Sequence, residues 1–161
     1  MYRSMTGSML RFLINQPAAY AEIKGSQAHP TIHGLVTFYG FERGTIVLAD
    51  IFGLPKSEKP CGGHFFGFHI HEGDSCGSNG ENAFVQAGAH YNPEKCMHPY
   101  HAGDMPVLEA AEGRAWMAFY TERFLPSQIR GRTVIIHDMP DDYRTQPAGD
   151  AGERIACGEI K

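Results

Sequence analysis

The chain lacks the features that would decide its class at a glance. No stretch is long or apolar enough to span a membrane. No run of Lys or Arg offers a face to nucleic acid, and the formal net charge is −4. There is no internal repeat and no low-complexity segment. Cysteines are few: Cys61, Cys76, Cys96 and Cys157, none in a Cys-x-x-Cys pair, which weakens zinc-ribbon and thioredoxin-like readings. An even count still permits one or two disulfides. A secretory leader is also missing from the sequence as given. Arg3 and Arg11 flank a short apolar piece, Phe12-Leu13-Ile14, but Asn15 and Gln16 cut it short of a signal-peptide core. The expected compartment is therefore the cytoplasm. A different start or a removed leader would change that to the periplasm or the exterior. By compartment alone, disulfides are disfavoured.

What is present suits one domain. The 161 residues are enough for a real core and too few for two. Hydrophobic residues make up 42% and charged residues 20%, as in a globular protein. Nineteen glycines and ten prolines supply many turns, which favours an all-β fold. Ala19 to Lys24, Thr31 to Tyr39, Gly44 to Phe52, Phe65 to His71, Arg114 to Thr121, Thr133 to His137 and Ile155 to Ile160 read as strands. The expectation is a Greek-key β-barrel or sandwich of about eight antiparallel strands. Residues 1–18 are expected to be a poorly ordered segment and 19–161 the domain. Two stretches break the strand pattern, Gly73 to Pro106 and Asp138 to Glu153. Long loops in a compact domain are usually functional or disordered.

Six of the nine histidines fall into a ligand pattern. His69 and His71 are two apart in an expected strand, so both project from one face. Two exposed strand histidines are the plain alternative. His90, His98, His101 and Asp104 make a full three-nitrogen, one-oxygen set, which suits a structural zinc. The alternative there is a polar loop with solvated histidines, set against the turn Gly103-Asp104-Met105-Pro106 that aims the carboxylate. His137 ends a buried β-branched run and can simply cap it. As a further nitrogen beside His69 and His71 it completes a nitrogen-rich set that suits Cu(II). Six imidazoles and a carboxylate exceed the needs of one ion. His29, His33 and His64 are scattered.

With those residues in place, the sequence resembles the copper/zinc superoxide dismutase family from about Ala19 to Lys161, and its bacterial branch in particular. Five ordered motifs carry the resemblance. They are Gly67-Phe68-His69-Ile70-His71-Glu72, Gly88-Ala89-His90-Tyr91-Asn92-Pro93, His101-Ala102-Gly103-Asp104, Gly131-Arg132-Thr133-Val134-Ile135-Ile136-His137, and Ala151-Gly152-Glu153-Arg154-Ile155-Ala156-Cys157-Gly158. The short step Glu72-Gly73-Asp74-Ser75-Cys76 points to the bacterial branch.

The resemblance implies that His69, His71, His90 and His137 bind copper and that His90, His98, His101 and Asp104 bind zinc. His90 is then the shared bridge. It implies that Asp141 orients one ligand of each metal. It implies that Arg154 attracts the superoxide anion, a local positive charge in a protein of net charge −4. It implies a Cys76–Cys157 disulfide, worth roughly 4 kcal/mol in the chain-entropy model. Members of the family can keep this bond in reducing compartments. Three departures stand out. The His98-to-His101 step is short for the family, which bears on zinc affinity. Lys56 to Phe65 is expanded and includes Cys61, and Cys96 is extra, so these two either pair or stay free. Ala148 stands where the family often has a channel threonine.

The implied reaction turns two superoxide anions and two protons into dioxygen and hydrogen peroxide, with His90 able to supply one proton. The rival reading is a non-catalytic relative that stores or delivers copper or zinc. Soft thiolate or thioether ligands would suit delivery better, and Arg154 would have no purpose there. A zinc hydrolase needs an open metal position, and four protein ligands leave none. No nucleic-acid or membrane partner is expected. Family dimers use different faces in different branches, so a homodimer is allowed without a defined surface. Trp116 and Tyr120, on one face of a strand, are either part of such a surface or ordinary half-buried packing.

Overall fold

The computed structural model describes residues 16–56, 64–80 and 82–161. Most of the segment expected to be poorly ordered, and Cys61 in the expanded stretch, lie outside the described residues. The strands are β1 (Ala19–Gly25), β2 (His33–Phe41), β3 (Gly44–Phe52), β4 (Phe65–Phe66), β5 (Phe68–His71), β6 (Leu108–Glu109), β7 (Arg114–Thr121), β8 (Thr133–His137) and β9 (Arg154–Glu159). Seven form one antiparallel sheet in the order β5-β8-β9-β1-β2-β3-β7, and β4 pairs with β6. The architecture is nearly all-β, a sheet curled into a half-barrel.

Chain continuity explains the curl. The ends of the large sheet are β5 and β7. β4 precedes β5 by Gly67 alone, and β6 leads into β7 through a turn closed by Ala111–Arg114 hydrogen bonds. The short β4–β6 ladder therefore ties the two ends together. Phe66 and Leu108, opposite one another in that ladder, are buried in the same core as Phe38, Val47, Ile51 and Phe68.

Burial follows the period of two on one side of the sheet. In β1, Ala19, Ala21 and Ile23 are buried while Tyr20, Glu22 and Lys24 are not. In β7, Ala115 faces inward and Trp116 and Tyr120 face out. On the other side, every residue of β5 and β8 is buried. Phe68 and Ile70 fill the core there. Ile135 packs instead with Phe84, Ala87 and Cys157, outside the main core. The long loops cover that outer face.

The expected strands recur with small shifts. β3, β7 and β8 have the expected bounds. β2 begins at His33 because Ile32 belongs to a turn, its N–H donating to the His29 carbonyl. The expected strand Phe65 to His71 divides at Gly67. The Gly67 N–H donates to Met139, and a Cβ there would sit 2.9 Å from Ala151 and 3.1 Å from His137. β6 has no counterpart in the expectation, and neither do two helical elements: a 3-10 turn at Val85–Ala87 and a one-turn helix, α1, at Pro126–Ile129. Both are too short to show a helical hydrophobic period.

Candidate metal centre

The centre forms on β5. One edge of this strand pairs with β8. The other is taken by the long loop, which doubles back as two strips. The Ile70 N–H donates to Gly103, the Tyr91 N–H donates to Ile70, and the Glu72 N–H donates to Ala89. Backbone bridges place His71 opposite His90 and His69 opposite Asp104. The loop thus completes the strand edge and delivers ligands in the same step. A side chain on Gly103 would meet the Ile70 carbonyl at 2.2 Å, so this close approach needs glycine.

Six buried histidines and one aspartate converge. His69, His71, His90 and His137 form one set, and His90, His98, His101 and Asp104 the other. Within each set, one donor atom per residue lies within 4.8 Å of every other, and His90 belongs to both. The rings of His69 and His90 are 4.0 Å apart. His29, His33 and His64 belong to neither set. The shortened step from His98 to His101 still brings both imidazoles to one point.

His69, His71, His98 and His137 are each held by one nitrogen and offer the other. His69 and His98 bond Asp141 through Nε2 at 2.7 and 2.9 Å. His71 donates from Nδ1 to the Gly88 carbonyl at 2.9 Å, and His137 from Nδ1 to Gly152 at 3.3 Å. The opposite atoms have no hydrogen-bond partner although they are buried: Nδ1 of His69, His98 and His101, and Nε2 of His71, His90 and His137. Orphaned polar atoms of this kind are costly in an interior. Here they point at two common centres, which suits metal ions held by imidazole. The Asp104 carboxylate lies 2.7 Å from His90 Nδ1, 3.1 Å from His98 Nδ1 and 3.3 Å from His101 Nδ1. The contact with His98 lacks hydrogen-bond geometry, as expected of two groups aimed at one ion.

The electrostatics of the metal-free protein agree. Burial pushes His137 down to about 3, and it lowers His69 and His71 too. For His71 and His137 the positive charge of Arg154 adds to the effect. These imidazoles are thus neutral and able to donate lone pairs. Burial alone would raise Asp141, but its bonds from His69, the Tyr143 N–H and His98 outweigh that and bring it to about 2. Burial raises Asp104, but the bond from His90 together with the charge interactions of His90, His101 and His98 outweighs it and holds the carboxyl below the usual value. Gly149, at φ 69, lies against this bridge: a Cβ there would meet Asp141 Oδ1 at 2.0 Å and His98 Nε2 at 2.8 Å.

Arg154 begins β9 half-buried. It donates to Phe84 at 2.7 Å and to Gly88 at 2.6 Å, and Gly88 also accepts from His71. One carbonyl therefore couples the arginine to a ligand of the first set. A surface cleft of about 740 Å³ touches Arg154 but is lined by none of the six histidines. Cys76 and Cys157 form a disulfide across 81 residues, pinning the ligand loop to β9. Cys96 is a free, exposed thiol.

The model of the copper/zinc superoxide dismutase (SODC) family matches residues 32–160. The chain belongs to the copper/zinc superoxide dismutase family. The enzyme from Legionella pneumophila is 35% identical over 82% of this chain and 80% of its own length. That from Deinococcus radiodurans is 32% identical over 90% of this chain and 85% of its own. The solved copper/zinc superoxide dismutase of Brucella abortus superposes with a TM-score of 0.74 at 25% identity, covering 89% of this chain and 99% of that one. This member is therefore an oxidoreductase of the bacterial-like branch that converts superoxide to dioxygen and hydrogen peroxide, with copper and zinc as cofactors. Among the described residues, no helix is long and apolar enough to cross a membrane.

Two residues with direct bonds to the second ligand set escaped sequence reasoning. Arg123 and Gln146 reach the main chain of the turn that carries His98, His101 and Asp104. Side chain-to-backbone bonds leave no residue pattern at the acceptor, so no motif marks them.

Proposed function

We propose that His69, His71, His90 and His137 hold copper, that His90, His98, His101 and Asp104 hold zinc, and that His90 bridges the two. The observation that carries this assignment is the pair of donor sets sharing His90, with an unpartnered nitrogen on each of the six imidazoles. Bound copper supplies the one-electron couple for the two half-reactions, and zinc holds the bridge. The rest is done by the chain. Asp141 fixes His69 and His98 through Nε2, leaving Nδ1 of each for metal. His90 Nε2 is the atom where a proton is held or released during turnover. Arg154 gives the substrate anion a fixed positive charge beside the copper ligands.

Metal analysis with electron paramagnetic resonance tests the assignment. One copper and one zinc per chain are expected, with the copper signal showing nitrogen ligands. Retained zinc in His101→Ala, or a wild-type copper signal in His137→Ala, would remove it. Superoxide decay by pulse radiolysis tests the arginine. Arg154→Ala is expected to slow the reaction and flatten its salt dependence, and an unchanged rate at low salt counts against steering.

The compartment and the assembly belong to the same proposal. The disulfide fits an oxidising compartment, where such bonds form and persist. A homodimer is favoured by one apolar outer face. Leu35 and Trp116 flank Asp50 across β2, β3 and β7, and Tyr120 lies further along the same face. Sedimentation equilibrium decides, and a monomer at every accessible concentration rejects the dimer.

A further inference from the structure

The turn from His98 to Asp104 carries three of the four residues assigned to zinc, so its main chain must stay in place for them to converge. Two side chains from different parts of the fold grip that main chain. Arg123 Nη1 donates to the carbonyls of Pro99 at 3.0 Å, His101 at 3.2 Å and Asp104 at 3.0 Å. Gln146 pairs with His98 in both directions. Its Nε2 donates to the His98 carbonyl at 2.7 Å, and its Oε1 accepts from the His98 N–H at 3.0 Å. Neither side chain touches a ligand nitrogen or the Asp104 carboxylate.

Both grips are anchored elsewhere. Arg123 follows β7, where its N–H is bonded to Thr121 Oγ1. The next residue, Phe124, is buried against Phe38, and its carbonyl accepts from Thr45 at 2.7 Å. Arg123 thus stands on the barrel rim. Gln146 stands on the second long loop, which also carries Asp141. A guanidinium stays charged at any pH at which histidines bind metal, and its bonds to carbonyls are charge-assisted.

We propose that Arg123 and Gln146 are positioning residues that hold the zinc-ligand turn ready for the ion, with Arg123 the stronger of the two. Residues that act behind metal ligands typically change affinity 10–100-fold. The proposal rests on the zinc assignment above, and its test separates the two. Zinc affinity is measured on the full, copper-loaded chain by competition with a chromophoric chelator. Cobalt(II) replaces zinc in a parallel series, whose d–d bands report ligand geometry. Arg123→Met is expected to weaken zinc about 10–100-fold and alter the cobalt bands, with copper affinity and the melting temperature of the metal-free protein nearly unchanged. Arg123→Lys keeps a cation with three donors and is expected to recover most of the loss. Gln146→Met is expected to cost several-fold.

Wild-type zinc affinity in Arg123→Met overturns the proposal. So does an equal weakening of zinc and copper together with a lower metal-free melting temperature, the mark of general destabilisation. If Arg123→Met does not fold, unchanged zinc affinity in Gln146→Met overturns it. His101→Ala is the control: zinc binding at the wild-type level there overturns the ligand assignment, and the positioning role falls with it.

Discussion

Strands β1, β2, β3 and β7 expose one face, whereas β5 and β8 expose neither. All belong to one antiparallel sheet with the same pleat. The difference comes from the loops. On the β2–β3–β7 side, the outer face carries Leu35, Trp116 and Tyr120 in contact with solvent. On the β5–β8–β9 side, the loops after β5 and β8 fold back over the sheet and bring His90, His98, His101, Asp104 and Asp141 with them. A metal centre needs neutral imidazoles in a dry place, and a strand covered on both faces provides one. The two regions are therefore built for different tasks from the same strand geometry.

Four measurements sharpen the contrast, beginning with the largest effect. The Cys76–Cys157 bridge holds the covering loop on β9. The double variant Cys76→Ser/Cys157→Ser is expected to lose roughly 4 kcal/mol in denaturant unfolding. A loss under about 1 kcal/mol would mean that cross-linking the unfolded chain contributes little to stability here.

Next is packing. Ile135 is fully buried under the loop, and Leu35 is 41% exposed on the open face. Ile135→Ala is expected to cost about 3 kcal/mol, and Leu35→Ala no more than about 0.5 kcal/mol. Equal losses in urea melts would erase the distinction between the two sides.

The third is acid sensitivity of the metal-free protein. His137 has a folded value of about 3 against an ordinary 6.5. Above 6.5 it is neutral in both states and stability does not change with pH on its account. Below 6.5 the unfolded chain takes up the proton first and stability falls until pH reaches about 3. The slope approaches about 1.4 kcal/mol per pH unit, or about 2 kcal/mol between pH 6.5 and 5. His69 and His71 add in the same direction. Asp141 works over a lower range, its contribution complete above about 3.8 and lost as pH falls towards about 2. Melting temperatures of the metal-free protein from pH 7 to 5 check the histidines. A flat profile would mean that they take up protons in the fold as readily as in the unfolded chain. The smallest effect is on the open face. Arg114 forks onto Asp50 at 3.0 and 3.1 Å in solvent. Arg114→Ala is expected to leave the melting temperature within replicate scatter.

Much of this was legible from residue order. β3, β7 and β8 have the expected ends because alternation or β-branched runs set them. The six histidines and Asp104 singled out in the sequence are the residues that converge in the two candidate donor sets, because their spacing follows strand and turn geometry. The Cys76–Cys157 pair followed from the resemblance, against the compartment argument. Less legible were β4 and β6, each only two residues long and defined by each other across forty residues of chain. Arg123 and Gln146 were silent because their acceptors are backbone carbonyls, which every residue has.

Residue order alone set the long strands, the donor chemistry and the order in which the donors occur, because these depend on side-chain type and local period. Only the tertiary structure decided which nitrogen of each histidine is free. It also decided that the sheet is covered on one side and open on the other, and it gave the contacts by which Asp141, already singled out by the resemblance, bonds His69 and His98. Those outcomes depend on contacts between residues far apart in the chain, such as His69 and Asp141 or Arg123 and Pro99. No local pattern encodes such a contact. It exists once the loops have closed over β5.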